Sequence, residues 1–149
     1  MPDMLTASSQ TTDRLNQAID RLRQLTQLDI QSQWRCCEAD LPVEQATQPQ
    51  TWESWATASL NDRHHIAWEK GKRVLWLGQQ LIVPVALQDY PLAGMALRLA
   101  LTWWAEVAQV FVNGECVQEG DLFDCQTRIL LSPTVLSGET IDLAIRLVS

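Results

Sequence analysis

The stretch Ala108–Gln118, AQVFVNGECVQ, decides how the rest of the chain reads. Asn113-Gly114 sits between apolar residues, Val110 and Val112 before it and Cys116 and Val117 after it. A tight two-residue hairpin turn needs φ > 0 at both central positions, and Asn-Gly meets that need at little steric cost. The stretch therefore predicts strand, turn, strand. Just upstream, MALRLALTWW alternates: Met95, Leu97, Leu99, Leu101 and Trp103 fall on one face, and Ala96, Arg98, Ala100, Thr102 and Trp104 on the other. Downstream, TRILL (Thr127–Leu131) leads to TIDLAIRLV, in which Ile141, Leu143, Ile145 and Leu147 alternate with Asp142, Ala144, Arg146 and Val148. A period of two marks strands with one buried face.

Further upstream, WRCC (Trp34–Cys37) reads as a short strand, and the run from Trp52 to Asn61 is strand-like. HIAWEKGKRVLWLG (His65–Gly78) predicts a second hairpin turning at Lys70-Gly71. QQLIVP is closed by Pro84, which cannot continue a ladder. EADLPVEQATQPQ (Glu38–Gln50) and QDYPLAG (Gln88–Gly94) read as loop and connection. Ahead of all this, TTDRLNQAIDRLRQLTQL places Leu15, Ile19, Leu22 and Leu25 on one helical stripe, with Thr11 or Thr12 as cap and Asp13 at the positive end of the dipole. One helix followed by roughly eight or nine short strands predicts an all-β sandwich or barrel. The expected organisation is a helix over residues 1–30 docked on a sandwich over 31–149, in one domain. The strand pattern runs to Ser149 without closing residues, as expected of a piece of a longer chain.

Composition narrows the function classes. A chain of 149 residues, 46% hydrophobic, can build a core without staples, burying about 70% of its unfolded surface. Its net charge of −7 argues against nucleic acid and anionic membrane surfaces as partners. No apolar run approaches a membrane span, and MPDMLTASSQTTDR has no apolar signal core. Cys36, Cys37, Cys116 and Cys125 form no CxxC pair, and adjacent strand cysteines point to opposite faces. They read as free thiols of a cytoplasmic protein.

Catalytic constellations are weak. His64 and His65 are adjacent and would face apart on a strand, a poor joint metal site. No HExxH, GxSxG or phosphate loop occurs. In GDLFD, Asp121 and Asp124 could serve as paired carboxylates if they flanked a sugar, but this spacing in a loop is that of turn-forming, solvated aspartates. The seven tryptophans are Trp34, Trp52, Trp55, Trp68, Trp76, Trp103 and Trp104. Indoles stack on the C–H faces of sugars, and they also fill sandwich cores. Trp103 and Trp104 should point to opposite faces, so at least one leaves the core. Trp103, Trp104, Asp121, Phe123 and Asp124 are the candidate carbohydrate-contacting or interface residues.

VLWLGQQLIVP, then LRLALTWWAEVAQVFVNGECVQEGDLFDCQTRILL, then GETIDLAIRLVS resemble the region ahead of the catalytic domain in cytosolic-type α-mannosidases of glycoside hydrolase family 38, bacterial members above all. The likeness covers about residues 14–149 and is strongest from Leu75 on. The order of tryptophan, strand ending in Val-Pro, alternating strand and A-x-V-x-V-N-G is also similar to galactose-binding-like jelly rolls of many glycosidases. The resemblance implies a mainly-β, galactose-binding-like jelly-roll sandwich with one N-terminal helix. It implies a parent enzyme that cleaves terminal α-mannosides with retention, using two carboxylates and a divalent metal, usually zinc. Those residues belong to the parent's catalytic domain, and no segment here matches their motifs. The expectation is a non-catalytic domain with no cofactor of its own, partnered by that catalytic domain and conceivably by mannose-containing glycans. The alternative is an independent carbohydrate-binding module.

Overall fold

The computed structural model describes residues 3–149, with side chains from Ala7 onward; the first two residues of the expected 1–30 helical segment lie outside that range. Helix α1 (Asp3–Thr26) leads through a 3₁₀ turn (Gln31–Gln33) to β1 (Arg35–Cys37). Two short helices follow, α2 (Val43–Ala46) and α3 (Pro49–Trp52), then β2 (Ala56–Thr57) and β3 (Val74–Ile82). The remaining strands are β4 (Ala86–Leu87), β5 (Tyr90–Pro91), β6 (Leu97–Thr102), β7 (Val107–Val112), β8 (Glu115–Gly120), β9 (Gln126–Ser132) and β10 (Thr140–Val148). Six strands form one sheet in the order β2-β1-β3-β10-β7-β8, while β6 pairs with β9 and β4 with β5. Every pairing is antiparallel. The chain is thus the mainly-β sandwich with an N-terminal helix that its sequence predicts.

The period-two stripes place the core. Leu75 and Leu77 of β3, Ala108 and Val110 of β7, and Ile141, Leu143, Ile145 and Leu147 of β10 line one face of the large sheet. Leu99 and Trp103 bury against them, with Leu97, Leu101, Ile129 and Leu131 half-buried alongside, so the β6–β9 pair closes this face. Burying a leucine such as Leu143 stabilises the fold by about 1.5–3 kcal/mol. The opposite face carries a second core of Ala46, Trp52, Trp55, Trp76, Phe111 and Ala144. Trp76 and Phe111 meet with ring centroids 5.6 Å apart. Ala144, paired in the register with Phe111 on one side and Gly78 on the other, leaves room beside these rings. Cys36 joins the first core and Cys37 the second, as adjacent strand residues must. All four cysteines are free.

The decisive hairpin forms as read. Asn113 (φ 50) and Gly114 (φ 84) make a two-residue turn, with Val112 facing Glu115. Asn113 N–H also donates to Asp142 O at 2.8 Å, and Asp142 N–H donates to Asn113 Oδ1 at 2.9 Å, tying the turn to β10. Beyond Val110 the register shifts and Val117 bulges.

Four expectations are corrected. The Lys70-Gly71 hairpin does not form, because both edges of β3 are already taken, by β1 and by β10; His65–Glu69 keeps only the isolated bridge Leu60–Ile66. The Glu38–Gln50 loop holds α2 and the start of α3, which carry Ala46 and Trp52 into the second core, and the strand-like run from Trp52 keeps only the two-residue β2. Helix α1 begins well before Thr11 and Thr12, whose hydroxyls donate back to Ala7 O and Ser8 O rather than capping. Nor does its stripe dock on the sandwich: Leu15, Ile19 and Leu22 are exposed. The physical reason is that both faces of the large sheet are already covered, one by β6–β9 and the other by α2–α3.

Candidate functional site

The sequence candidates converge on one end of the sandwich. The loop from β8 to β9 folds as an Asx turn: Asp121 Oδ1 accepts from Phe123 N–H at 2.7 Å and from Asp124 N–H at 2.9 Å. Asp121 N–H donates to Asp124 O at 3.2 Å. These donors, Asp124 first and then Phe123, hold the Asp121 carboxyl below the usual aspartate range. Trp103, just past β6, anchors the loop from inside. Its N–H donates to Cys125 O at 2.8 Å, and its indole Nε1 donates to Asp121 O at 3.2 Å. A Cβ on Gly120 would collide with the Trp103 ring and with Asp124 O, so the loop requires glycine there. Gly120 escapes sequence reading because nothing local to EGDLFD tells of the indole that fills its missing side chain.

The neighbouring tryptophans divide as strand alternation dictates. Trp103 is 6% exposed and Trp104 is 75% exposed. Phe123, at the tip of the Asx turn, is 98% exposed, and Leu122 beside it is open as well. The arrangement offers aromatic contact surface on a loop fixed from beneath. The Asp121 carboxylate accepts main-chain donors through Oδ1, which favours its charged form over a proton-donating one. The structure therefore brings Trp103, Asp121, Phe123 and Asp124 into one loop assembly, with Trp104 adjacent in the chain.

The tryptophan count points elsewhere than to a sugar platform. Trp34, Trp52, Trp55, Trp76 and Trp103 are core residues, and Trp68 is half-buried with its Nε1 donating to Arg73 O. His64 and His65 lie exposed in a turn, His64 with φ 58. Among the described residues no group of three or more His, Cys, Asp or Glu side chains gathers in metal-binding geometry. Among the described residues no helix is long and apolar enough to cross a membrane.

No protein-family model matches the chain, and no curated protein does. Solved structures do. A calcium-binding mutant of Bacteroides uniformis β-glucuronidase 2 matches with a TM-score of 0.55 at 16% identity, over 80% of this chain and 14% of that one. Faecalibacterium prausnitzii β-glucuronidase matches with a TM-score of 0.52 at 16% identity, over 76% of this chain and 19% of that one. These findings overturn the resemblance to family 38 α-mannosidases: the matched enzymes are β-glucuronidases. At such identity the likeness is one of fold. The chain has the fold of a sandwich segment that makes up less than a fifth of much longer glycosidase chains.

Proposed function

We propose that this chain is a non-catalytic accessory domain of a glycoside hydrolase, a sandwich that supports a separate catalytic domain. The observation that carries the reading is the mismatch of coverage: four-fifths of this chain superposes on about one-seventh of a glycosidase. The site chemistry agrees, since this end of the sandwich presents two exposed aromatics, Trp104 just past β6 and Phe123 on the β8–β9 loop. A fixed loop with an exposed aromatic tip is suited to packing against a neighbouring domain.

Two measurements test this. The purified chain should release no aglycone from aryl β-glucuronides, β-galactosides or β-glucosides; turnover that follows this chain through purification would overturn the reading. Removing residues 31–149 from a natural polypeptide that carries them should cost that polypeptide its hydrolase activity or its solubility. Full retention of both would equally defeat it.

A further inference from the structure

The pair β6–β9 stands apart from the large sheet, and its register fixes which main-chain groups face outward. Trp103 N–H donates to Cys125 O at 2.8 Å, in continuation of the β6–β9 register. In an antiparallel ladder, residue pairs that exchange bonds alternate with pairs that do not. Leu101–Thr127 and Leu99–Ile129 are then bonded pairs, and Arg98, Ala100 and Thr102 turn both N–H and C=O away from β9. Among the described residues no group bonds those outward N–H and C=O groups. The same three residues are exposed.

An open edge is a template for another strand, and proteins blunt such edges with charge, a bulge or brevity. The large sheet does so: β8 carries Glu115, Glu119 and a register shift, and β2 is two residues long. On β9, Arg128 O accepts from Arg98 Nη1 at 3.4 Å. From Arg98 to Thr102, β6 has no register shift, proline or acid.

Reversed on itself, β6 is self-complementary. About a two-fold axis at Ala100, Ala100 meets Ala100 of a second copy and Arg98 meets its Thr102, each pair exchanging both its bonds. In the same register Trp104 falls opposite Ala96 of the second copy and diagonal to its Arg98, on one face. Trp104 is 75% exposed, and a guanidinium over an indole face is a favourable contact. β9 lacks this symmetry, because centring it on Arg128 sets two arginines opposite each other. Charge favours the β6 edge as well. Acids outnumber bases by 18 to 11 across the chain, so two copies repel over most of their surface, yet no acid occurs from Tyr90 to Ala105.

We infer that a second copy of this chain docks on β6, edge to edge and antiparallel, making one sheet of order β9-β6-β6-β9. Edges this short bury less than the ~1,200–2,000 Å² of a stable complex, so the dimer is reversible, with a Kd of roughly 10–100 µM. The inference uses only this chain's own edge and does not rest on the accessory-domain reading.

Sedimentation equilibrium of the full chain from ~5 to ~500 µM, a range that brackets such a Kd, tests this. Mass should rise toward that of two chains, and the Arg98, Ala100 and Thr102 amides should gain protection from hydrogen exchange as concentration rises. Ala100→Pro removes an N–H that β9 does not use, so β6 stays paired with β9, and dimerisation should weaken about tenfold or more. Trp104→Ala, at an exposed position that keeps the fold if the proline variant does not, should weaken it about threefold. Leu22→Ser, on the exposed stripe of α1, should leave it unchanged. A monomer at the highest concentration, an Ala100 amide already protected in dilute solution, or a dimer that survives both Ala100→Pro and Trp104→Ala would each overturn the inference, as would one lost in Leu22→Ser.

Discussion

Trp52 lies face-on against Gly78: a Cβ at residue 78 would sit 2.5 Å from three atoms of the indole ring. This contact joins α3 to the centre of β3 and seals the second core. In a strand, glycine is ordinarily a weak choice, and alanine would be preferred. Here the indole takes the place of the missing side chain, so the sign reverses.

Gly78→Ala should therefore destabilise the domain by about 1–3 kcal/mol through overpacking. Urea denaturation followed by tryptophan emission checks this. A neutral or stabilising outcome would show that Trp52 does not hold this position.

The tryptophan pair separates stability from surface. Trp103→Ala should cost about 3–5 kcal/mol, since it empties a core site and frees the Asp121 loop. Trp104→Ala should stay within about 0.5 kcal/mol. Thermal unfolding of the two variants side by side decides it; equal losses would contradict the alternation across residues 103 and 104.

The Asx turn carries a pH dependence. Main-chain donors lower the folded-state pKa of Asp121 below its unfolded value. The stabilising contribution of the carboxylate is then fully present above the unfolded pKa, near ~3.9. It is lost as pH falls through the lower folded value. Asp121→Asn keeps an oxygen acceptor but no charge, so it should flatten the acid limb of the curve of urea midpoint against pH. An unchanged acid limb would show that the turn does not depend on the charge.

The hairpin turn is a backbone matter. Gly114 sits at φ 84, in the left-handed region, with open space around it. Gly114→Val should cost about 1–2 kcal/mol by strain alone, while Asn113→Gly should cost less, because glycine keeps the turn and loses only the Asn113 Oδ1 bond to Asp142 N–H. Comparison of the two unfolding midpoints tests the order.

Legibility followed the range of the forces. The Asn113-Gly114 turn, the β6 alternation and the four-point apolar stripe of β10 were readable because φ preference and side-chain alternation act within a few residues. The Gln88-Asp89 turn between β4 and β5, with φ 48 and 68, did not read as a hairpin because no glycine marks it and the strands it joins are two residues each. In the loop site, strand alternation put Trp103 on the leucine face of β6 and Trp104 on the other, but gave no sign that Trp103 would hold Asp121 from beneath.

The sequence by itself determined that the chain is a helix followed by paired, one-face-apolar strands, since turn chemistry and the period of two are local properties. Tertiary structure alone decided where the edges and faces are closed. Both edges of β3 were claimed by β1 and β10, which denied the second hairpin its partner. Helices α2 and α3 covered the second face and left α1 without a seat. The early stop of β1 left β3 beyond Gly78 paired with β10 alone. Each outcome depends on competition among segments far apart in the chain for the same hydrogen-bonding edge or the same apolar surface, and that competition has no signature within any one of them.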